Sequence, residues 1–395
     1  MIKYDVVVIG GGIIGCSVAY YLAKQGQKIL LLEKTDHAQG SAGATDGVVS
    51  YHTKKPGPQM DLAVKSIEMF QGLSDELGED IEFLANCGGM QPAEDKAQWD
   101  MLCAIGEQQR KSGINMRMIS GKEACEMEPM LAPDLYGALY APCGGKVEPI
   151  RLTMAFLHAA KRLGATVRNH TEVTEIRRNS AGAVTAVITA DGEVFETSKV
   201  VIACGAWSQA VGRLVGLELP VLPRRGQLLV TEPIGHFMGC TFQCARYNII
   251  KFMPEAITDP SILRMGISLS IHQTKDGGLL IGGTREWADF DRSNSLEAIE
   301  AIASRAVRFF PLLKNVGVIR AFAGLRPYTS DGIALLGPTR RVPGVYLATG
   351  HEGDGIALAP ITGKLLAEMI TETPLSCDVQ PFSPDRFQYV GSSIA

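Results

Sequence analysis

The stretch Asp5-Val-Val-Val-Ile-Gly-Gly-Gly-Ile-Ile-Gly15, followed by a strand that ends in Leu32-Glu33, decides the fold of this chain. The apolar run at residues 6–9 predicts a buried parallel strand, and residues 16–24 predict a helix. A second apolar strand over residues 28–32 ends at an acidic side chain. This order of strand, glycine-rich turn, helix, strand and acid predicts a βαβ unit that binds an adenine dinucleotide.

Each glycine of the turn has its own predicted role. Gly10 permits the tight turn, Gly12 lets the backbone approach a pyrophosphate, and Gly15 lets the helix pack on the strand. The pyrophosphate then lies at the positive end of the helix. Glu33 can accept hydrogen bonds from a ribose 2′-hydroxyl group. An ordinary βαβ unit with a glycine-rich turn would not require an acid at this place.

Composition limits the class of protein. The chain has 395 residues, of which 46% are hydrophobic and 20% charged, enough for two domains with large cores. The formal net charge of −4 offers no basic surface for nucleic acid. Residues 6–23 are nearly uncharged, but their four glycines and the flanking Asp5 and Lys24 argue against a membrane span. We therefore expect no nucleic-acid partner and no transmembrane segment.

The nine cysteines favour a reducing compartment. Their number is odd and none forms a C-x-x-C pair, which is a poor signature for zinc or an iron–sulfur cluster. We expect reduced, packed cysteines, no bound metal and a cytoplasmic location.

Dinucleotide-type elements occur at the start, in the middle and at the end of the chain, with a β-rich region between them. This predicts an α/β fold with a Rossmann-like cofactor domain built from residues 1–85, 146–220 and 321–395. A sheet-rich α+β substrate domain would comprise residues 86–145 and 221–320. Residues 228–284 are expected to be mostly strand, with a turn at Asp259-Pro260.

Several further motifs carry a resemblance to a known family. Besides the first turn and Glu33, they lie at residues 40–47, 200–208, 225–227, 280–284, 324–327, 331–332 and 350–355. In combination they resemble the D-amino-acid oxidase family of flavoproteins. Within it, the chain is most similar to the branch of glycine oxidase, the β subunit of sarcosine oxidase, and hydroxyproline and opine dehydrogenase subunits. The resemblance spans nearly the whole chain and implies FAD, two domains, and oxidation of an amine or amino acid.

The resemblance also implies which residues hold FAD. The loop at 41–48 would run from the pyrophosphate to the flavin ring, the backbone of Val173 would face the adenine, and residues 350–356 would lie at the flavin. The implied cofactor-binding set is Gly10, Gly12, Ile13, Ile14, Gly15, Glu33, Lys34, Ser41, Ala42, Thr45, Gly47, Val48, Val173, Gly205, Gly350, His351, Gly353, Asp354, Gly355 and Ile356. The residues themselves favour FAD too, since the chain lacks the second G-x-G-x-x-G motif that flavin reductases using NAD(P)H usually need.

Arg326 in Gly324-Leu-Arg-Pro327 is implied by the resemblance to clamp the substrate carboxylate. A planar guanidinium matches a carboxylate bidentately, and this contact would place the Cα–H against flavin N5. The helix after His351 can direct its N-terminus to the flavin, with His351 as a catalytic candidate. Asp354 either touches the flavin or only caps this helix.

Three further residues are candidates for the substrate site. Ser270 and His272 alternate on a predicted strand and could face one cavity, Ser270 to bind substrate and His272 to act in catalysis. His52 follows the second glycine-rich loop and is a candidate substrate contact.

These features predict FAD-dependent oxidation of a small amino or imino acid by hydride transfer to flavin N5, giving an imine that hydrolyses. Two alternatives stay open. A 2-hydroxy-acid dehydrogenase would use Arg326 in the same way and would need His272 or His351 to take the hydroxyl proton. The chain could instead be the flavin subunit of a hetero-oligomer, inactive without partners that carry further redox centres and that could hold it at a membrane.

Overall fold

The computed structural model describes residues 2–54 and 56–387. Its first sheet has six strands, and their spatial order is Thr166–Arg168, Ile29–Leu32, Val6–Ile9, Val200–Ile202, Val345–Thr349 and Leu335–Pro338. The first five strands are parallel, and the sixth pairs antiparallel with its neighbour. Strands from the start, middle and end of the chain therefore meet in one sheet.

The second and largest sheet has eight strands. Its order is Val318–Tyr328, Leu222–Thr231, Leu279–Gly282, Ser270–Gln273, Thr241–Gln243, Gly89–Ala93, Gly137–Ala141 and Arg117–Ser120. All neighbours are antiparallel except Thr241–Gln243 and Gly89–Ala93, which run parallel. The α/β fold class is confirmed. The strand Val318–Tyr328 crosses the expected boundary at residue 320, and the domain limits stay a prediction.

Smaller sheets and the helices complete the fold. One sheet contains Ile2–Lys3, Val194–Glu196, Val184–Thr189 and Val173–Arg178, and another contains Val48–Val49, Gly145–Lys146 and Leu84–Ala85. The α-helices of the described residues are Ile13–Lys24, Pro58–Phe70, Leu73–Leu77, Lys96–Lys111, Gly121–Met127, Pro149–Arg162, Ser208–Arg213, Ala245–Phe252, Pro260–Met265, Leu296–Phe309 and Gly355–Thr371. Across the described part of the chain, none of the helices has both the length and the apolarity to cross a membrane.

The expectation of mostly strand over residues 228–284 is wrong in two places, where helices Ala245–Phe252 and Pro260–Met265 form. Asp259-Pro260 is a helix start and not a turn: Asp259 Oδ1 accepts a hydrogen bond from the Ser261 N–H at 2.8 Å, and proline occupies the first helical position. Both helices have at most eight residues, too few for a helical period to stand out from the surrounding strands.

Helix Ile13–Lys24 is almost wholly buried between the parallel sheet and helix Gly355–Thr371. The Ser17 hydroxyl donates to the Ala359 carbonyl at 2.8 Å. A Cβ on Gly363 would lie 2.2 Å from Ser17 Oγ and 2.7 Å from Ser17 C. The two helices therefore touch backbone to backbone at Gly363.

We predict that Gly363→Ala destabilises the fold by about 1–3 kcal/mol, because the added methyl group forces two buried helices apart. Thermal unfolding followed by circular dichroism measures the effect. Gly235→Ala is the matched control, since a Cβ there meets no atom within 4 Å. Equal midpoints for the two variants would contradict this packing.

Candidate active site

A cavity of about 940 Å³ lies between the two sheets. Ile9, Leu32 and Ala203, at or just beyond the carboxyl ends of parallel strands, form part of its wall, and Gly226 and Ser270 of the eight-stranded sheet form another part. Its volume is at the upper end of the roughly 300–1,000 Å³ typical of ligand pockets. Ligands of open α/β sheets bind at this edge of the strands.

The glycine-rich turn has the geometry that a pyrophosphate requires. Gly10 has φ +111°, and a Cβ there would lie 2.5 Å from the Ala203 carbonyl oxygen. A Cβ on Gly15 would lie 1.9 Å from the Gly10 oxygen, so this glycine permits the helix to meet the turn. Gly12 is the N-cap of helix Ile13–Lys24, lines the cavity, and has no obstructing atom within 4 Å of a Cβ. The helix N-terminus is thus open to an anion.

The carboxylate of Glu33 is oriented by the same turn. Its Oε2 accepts from the Gly11 N–H at 2.7 Å, and its Oε1 accepts from the Thr35 N–H at 2.8 Å. Lys34 also lines the cavity, with its Nζ 5.4 Å from the ring centroid of Trp207. This part of the wall, which includes Val173, fits the adenosine half of a dinucleotide.

The second glycine-rich loop connects this wall to the eight-stranded sheet. The Ser41 hydroxyl donates to the Leu325 carbonyl, and a Cβ on Gly324 would lie 2.7 Å from the Ala44 oxygen. Gly47 and Val48 do not line the cavity. Gly47 makes a left-handed turn against the Val147 carbonyl, and Val48 pairs with Lys146.

Most residues proposed to bind the cofactor meet in this one cavity. Those that line it are Gly10, Gly12, Ile13, Ile14, Glu33, Lys34, Ser41, Ala42, Thr45, Val173, Gly205, His351, Gly353, Gly355 and Ile356. Those that do not are Gly15, Gly47, Val48, Gly350 and Asp354. Gly15 and Gly350 lie behind the wall, where a Cβ would strike the Gly10 oxygen or Thr329.

The side chain of Asp354 has a different role from the two that the sequence suggested. It is the N-cap residue of helix Gly355–Thr371, yet its side chain makes no capping hydrogen bond and does not line the cavity. Its carboxylate forms buried ion pairs with Lys54 at 2.9 Å and Lys251 at 3.2 Å. Burial raises the pKa of Asp354, but the Lys251 and Lys54 ammonium groups outweigh this and hold it well below its usual range.

Arg326 lines the cavity, as a substrate clamp must. Its Nη1 donates to the Thr284 carbonyl at 2.9 Å. Gly226 makes room for the guanidinium, because a Cβ there would lie 2.2 Å from Arg326 Nη1. Burial and the nearby Arg285 lower the pKa of Arg326, although an arginine stays charged in proteins.

Of the three candidate histidines, only His351 reaches the cavity. Its Nε2 lies 3.1 Å from Thr362 Oγ1, and burial lowers its pKa to about 4, so it is neutral near pH 7. His52 lies outside the cavity, with its Nε2 3.0 Å from Gln243 Oε1. His272 is also outside, and burial lowers the pKa of each of these two to about 4. Ser270 does line the cavity and donates to Asp46 Oδ2 at 2.7 Å.

Sequence reasoning did not single out Tyr247 and Arg285, which lie in this wall, and it included Asp46 and Glu352 only as members of the segments 41–48 and 350–356. Tyr247 lies on helix Ala245–Phe252, within the region expected to be mostly strand. Arg285 directly follows the motif at residues 280–284. Its position beside this motif was the one feature of the sequence that could have indicated a place in the site. Within residues 2–54 and 56–387, no group of three or more His, Cys, Asp or Glu is arranged to hold a metal ion.

Comparison with known proteins agrees with this geometry. The family model described as DAO, FAD dependent oxidoreductase, matches residues 5–369, and the chain belongs to this family of FAD-binding enzymes. It is 32% identical to the glycine oxidase of Geobacillus kaustophilus over 394 residues, covering 97% of each chain. A crystal structure of glycine oxidase from that species superposes with a TM-score of 0.87 at 30% identity, covering 98% of this chain and 100% of the other.

Two other similar proteins are not named as glycine oxidases. The L-proline dehydrogenase of P. horikoshii superposes with a TM-score of 0.86 at 26% identity and 98% coverage of both chains. An opine oxidase subunit of Rhizobium meliloti is 26% identical over 397 residues, with 98% coverage of both chains.

We predict that Glu33→Ala weakens FAD binding at least tenfold, because hydrogen bonds to a charged acceptor contribute about 1.5–3 kcal/mol. Titration of the apoprotein with FAD, followed by flavin fluorescence, gives the dissociation constant. Glu175→Ala, at an exposed carboxylate outside the cavity, is the control. An unchanged constant for the Glu33 variant would exclude this role.

We predict that Asp354→Asn lowers stability by about 3–5 kcal/mol, since it leaves buried lysine charges without their carboxylate. The midpoint of thermal unfolding reports the loss. Asp100→Asn, which breaks the exposed Lys96–Asp100 pair, should cost less than about 1 kcal/mol. Similar losses in both variants would show that the buried ion pairs of Asp354 contribute no more to stability than an exposed pair.

Proposed function

We propose that the protein oxidises a small amino or imino acid at the carbon next to nitrogen, giving an imine that hydrolyses. The observation that carries this proposal is the position of Arg326, whose buried guanidinium lines the same cavity as the dinucleotide turn. A substrate carboxylate bound there would lie inside the FAD cavity and not at its outer surface.

The bound FAD supplies the acceptor for a hydride. The remaining work of this chain is to hold and orient the substrate. Arg326 presents a planar fork that is positioned by the Thr284 carbonyl, and two parallel hydrogen bonds to a carboxylate fix both its place and its direction. An amine that binds in its neutral form needs no dedicated base for hydride loss.

The names of the relatives support a substrate of this class. Glycine oxidase and L-proline dehydrogenase are named for a primary and a secondary amino acid respectively. Both align over nearly the whole chain, so each alignment spans the residues of the cavity wall as well as the dinucleotide turn.

The geometry favours an amine over a 2-hydroxy acid. Oxidation of a hydroxy acid needs a base for the hydroxyl proton, and His272 lies outside the cavity. His351 lines the cavity, but its Nε2 is engaged with Thr362 Oγ1. Anaerobic addition of amino acids, N-methyl amino acids, prolines and 2-hydroxy acids tests this, since only a substrate bleaches the flavin absorption. Bleaching by hydroxy acids alone would overturn the proposal.

We also propose that the protein is cytoplasmic and that it works with a partner protein that carries further redox centres. The support for a partner is that several relatives are named as subunits, among them the opine oxidase subunit. If this holds, the purified chain should be reduced by substrate yet pass electrons slowly to oxygen. Rapid oxygen consumption by the chain alone would remove the need for a partner.

We predict that Arg326→Met lowers kcat/KM for the best amino acid about a hundredfold or more, the loss expected from about 3 kcal/mol of charged hydrogen bonding. FAD content should not change, because Arg326 acts on the substrate. Steady-state kinetics and the flavin-to-protein absorbance ratio measure the two effects. Arg264→Met, at an exposed arginine, is the matched control, and wild-type kinetics in the Arg326 variant would exclude the clamp.

A further inference from the structure

We infer that Arg285 forms a second anion-binding subsite in the active-site cavity, and that the substrate is an amine bearing two carboxylates. The inference rests on the proposed function, and it narrows the substrate from any small amino acid to a dicarboxylic one. Arg326 binds one carboxylate and Arg285 the other.

Arg285 is a buried cation with unused hydrogen-bonding capacity. Its side chain is about 2% exposed, yet it lines the cavity. Its Nη1 lies 3.4 Å from Ser268 Oγ, a long hydrogen bond, and its Nε has no hydrogen-bond partner among the described residues. A guanidinium has five N–H donors, and burying them unpaired is costly. A ligand in the cavity would supply the missing acceptors.

Glu352 balances the charge of Arg285 but does not satisfy its donors. The closest approach between them is 3.9 Å, from Arg285 Nε to Glu352 Oε1, which is too long for a hydrogen bond. Glu352 Oε1 itself has no hydrogen-bond partner among the described residues, and Oε2 accepts from the Gly353 N–H. The pair therefore leaves the guanidinium open to a ligand.

The guanidinium of Arg285 is held in a fixed place. Its carbon lies 4.2 Å from the ring centroid of Tyr247, and stacking on a ring leaves the donor edge free. The backbone N–H of Arg285 donates to the Met265 carbonyl at 2.8 Å, and a Cβ on Gly266 would lie 2.7 Å from Arg285 Cβ. On the other side, Glu286 is tied to Arg225 by an ion pair of 3.1 Å. Such preorganisation lowers the cost of binding.

Two arginines that line this part of the cavity, Arg285 and Arg326, can each receive one carboxylate. Arg224 pairs with Arg326 across neighbouring strands, and both arginines therefore occupy the same face of the sheet. Both lie near Glu352, as do Arg285 and Lys251, although Arg224 itself does not line the cavity. Asp46, another carboxylate of the wall, accepts a hydrogen bond from the Ser270 hydroxyl and not from either arginine. One carboxylate on Arg326 would leave the donors of Arg285 unmet, and a second one would satisfy them.

The second carboxylate can be carried by the nitrogen substituent or by the side chain. Two pairs of substrates separate these sources, since the members of each pair differ by one carboxylate. Iminodiacetate against N-methylglycine tests the nitrogen side, and aspartate against alanine, in both enantiomers, tests the side chain. At least one dicarboxylate should reduce the flavin with a kcat/KM tenfold or more above that of its partner.

Binding without turnover gives the sharper test. Thiodiacetate and (methylthio)acetate have sulfur in place of the amine and also differ by one carboxylate. Titration of the holoenzyme with each, followed by the shift in the flavin absorption spectrum, should show thiodiacetate binding at least tenfold tighter. Arg285→Gln should abolish this preference while (methylthio)acetate binds within threefold of wild type. Arg264→Gln, at an exposed arginine, should leave the preference intact.

The outcomes separate the two proposals. Equal binding of the two thioethers by the wild-type enzyme, or an unchanged preference in Arg285→Gln, overturns the second subsite even if amines reduce the flavin. If no amine reduces the flavin, the proposed function fails, while the thioether preference still reports on Arg285. Arg285→Lys, which keeps the charge but loses the planar fork, provides a second variant and should retain only part of the preference.

Discussion

The arrangement of the active site depends on the antiparallel pairing of strand Leu222–Thr231 with strand Val318–Tyr328. The register places Leu222 opposite Tyr328 and Arg224 opposite Arg326. Because side chains alternate along a strand, a slip of one residue would turn Arg326 to the opposite face of the sheet. The long run of paired residues, most of them in unbroken register, makes such a slip costly, since every other pair would have to change as well.

Two glycines on these paired strands leave the space that the candidate site requires. Gly226 leaves the space that the Arg326 guanidinium occupies, and Gly324 lets the same strand approach the backbone of Ala44 in the cofactor loop. The strand Val318–Tyr328 thus connects the eight-stranded sheet to the loop that follows the dinucleotide-binding unit. Arg326, the proposed clamp, and the loop beside the cavity wall are positioned by one element, which limits the error in the distance between them.

Permanent charges, and not histidines, define the electrostatics of the cavity. His351 is the one candidate histidine in the wall, and its pKa of about 4 keeps it neutral in the physiological range. Burial raises the pKa of Glu352, but Arg285, Lys251 and Arg326 outweigh this and keep the carboxylate ionised. Because arginines stay protonated at any physiological pH, the affinity of the protein for a carboxylate should vary little with the charge of its own groups.

The sequence by itself determined the dinucleotide-binding unit, since the turn at Gly10, Gly12 and Gly15 and the acid Glu33 all lie within 33 residues and obey local rules of backbone geometry. It also pointed to Arg326, through a motif that a family resemblance could interpret. Only the tertiary structure decided that His52 and His272 lie outside the cavity, and that Arg285 and Tyr247 lie in its wall. These residues are separated by tens of residues in the chain, and no local pattern states which of them will meet. Their contacts depend on the strand register and on two short helices that have no clear hydrophobic period. They also depend on the positions at which a glycine leaves space for a neighbouring side chain.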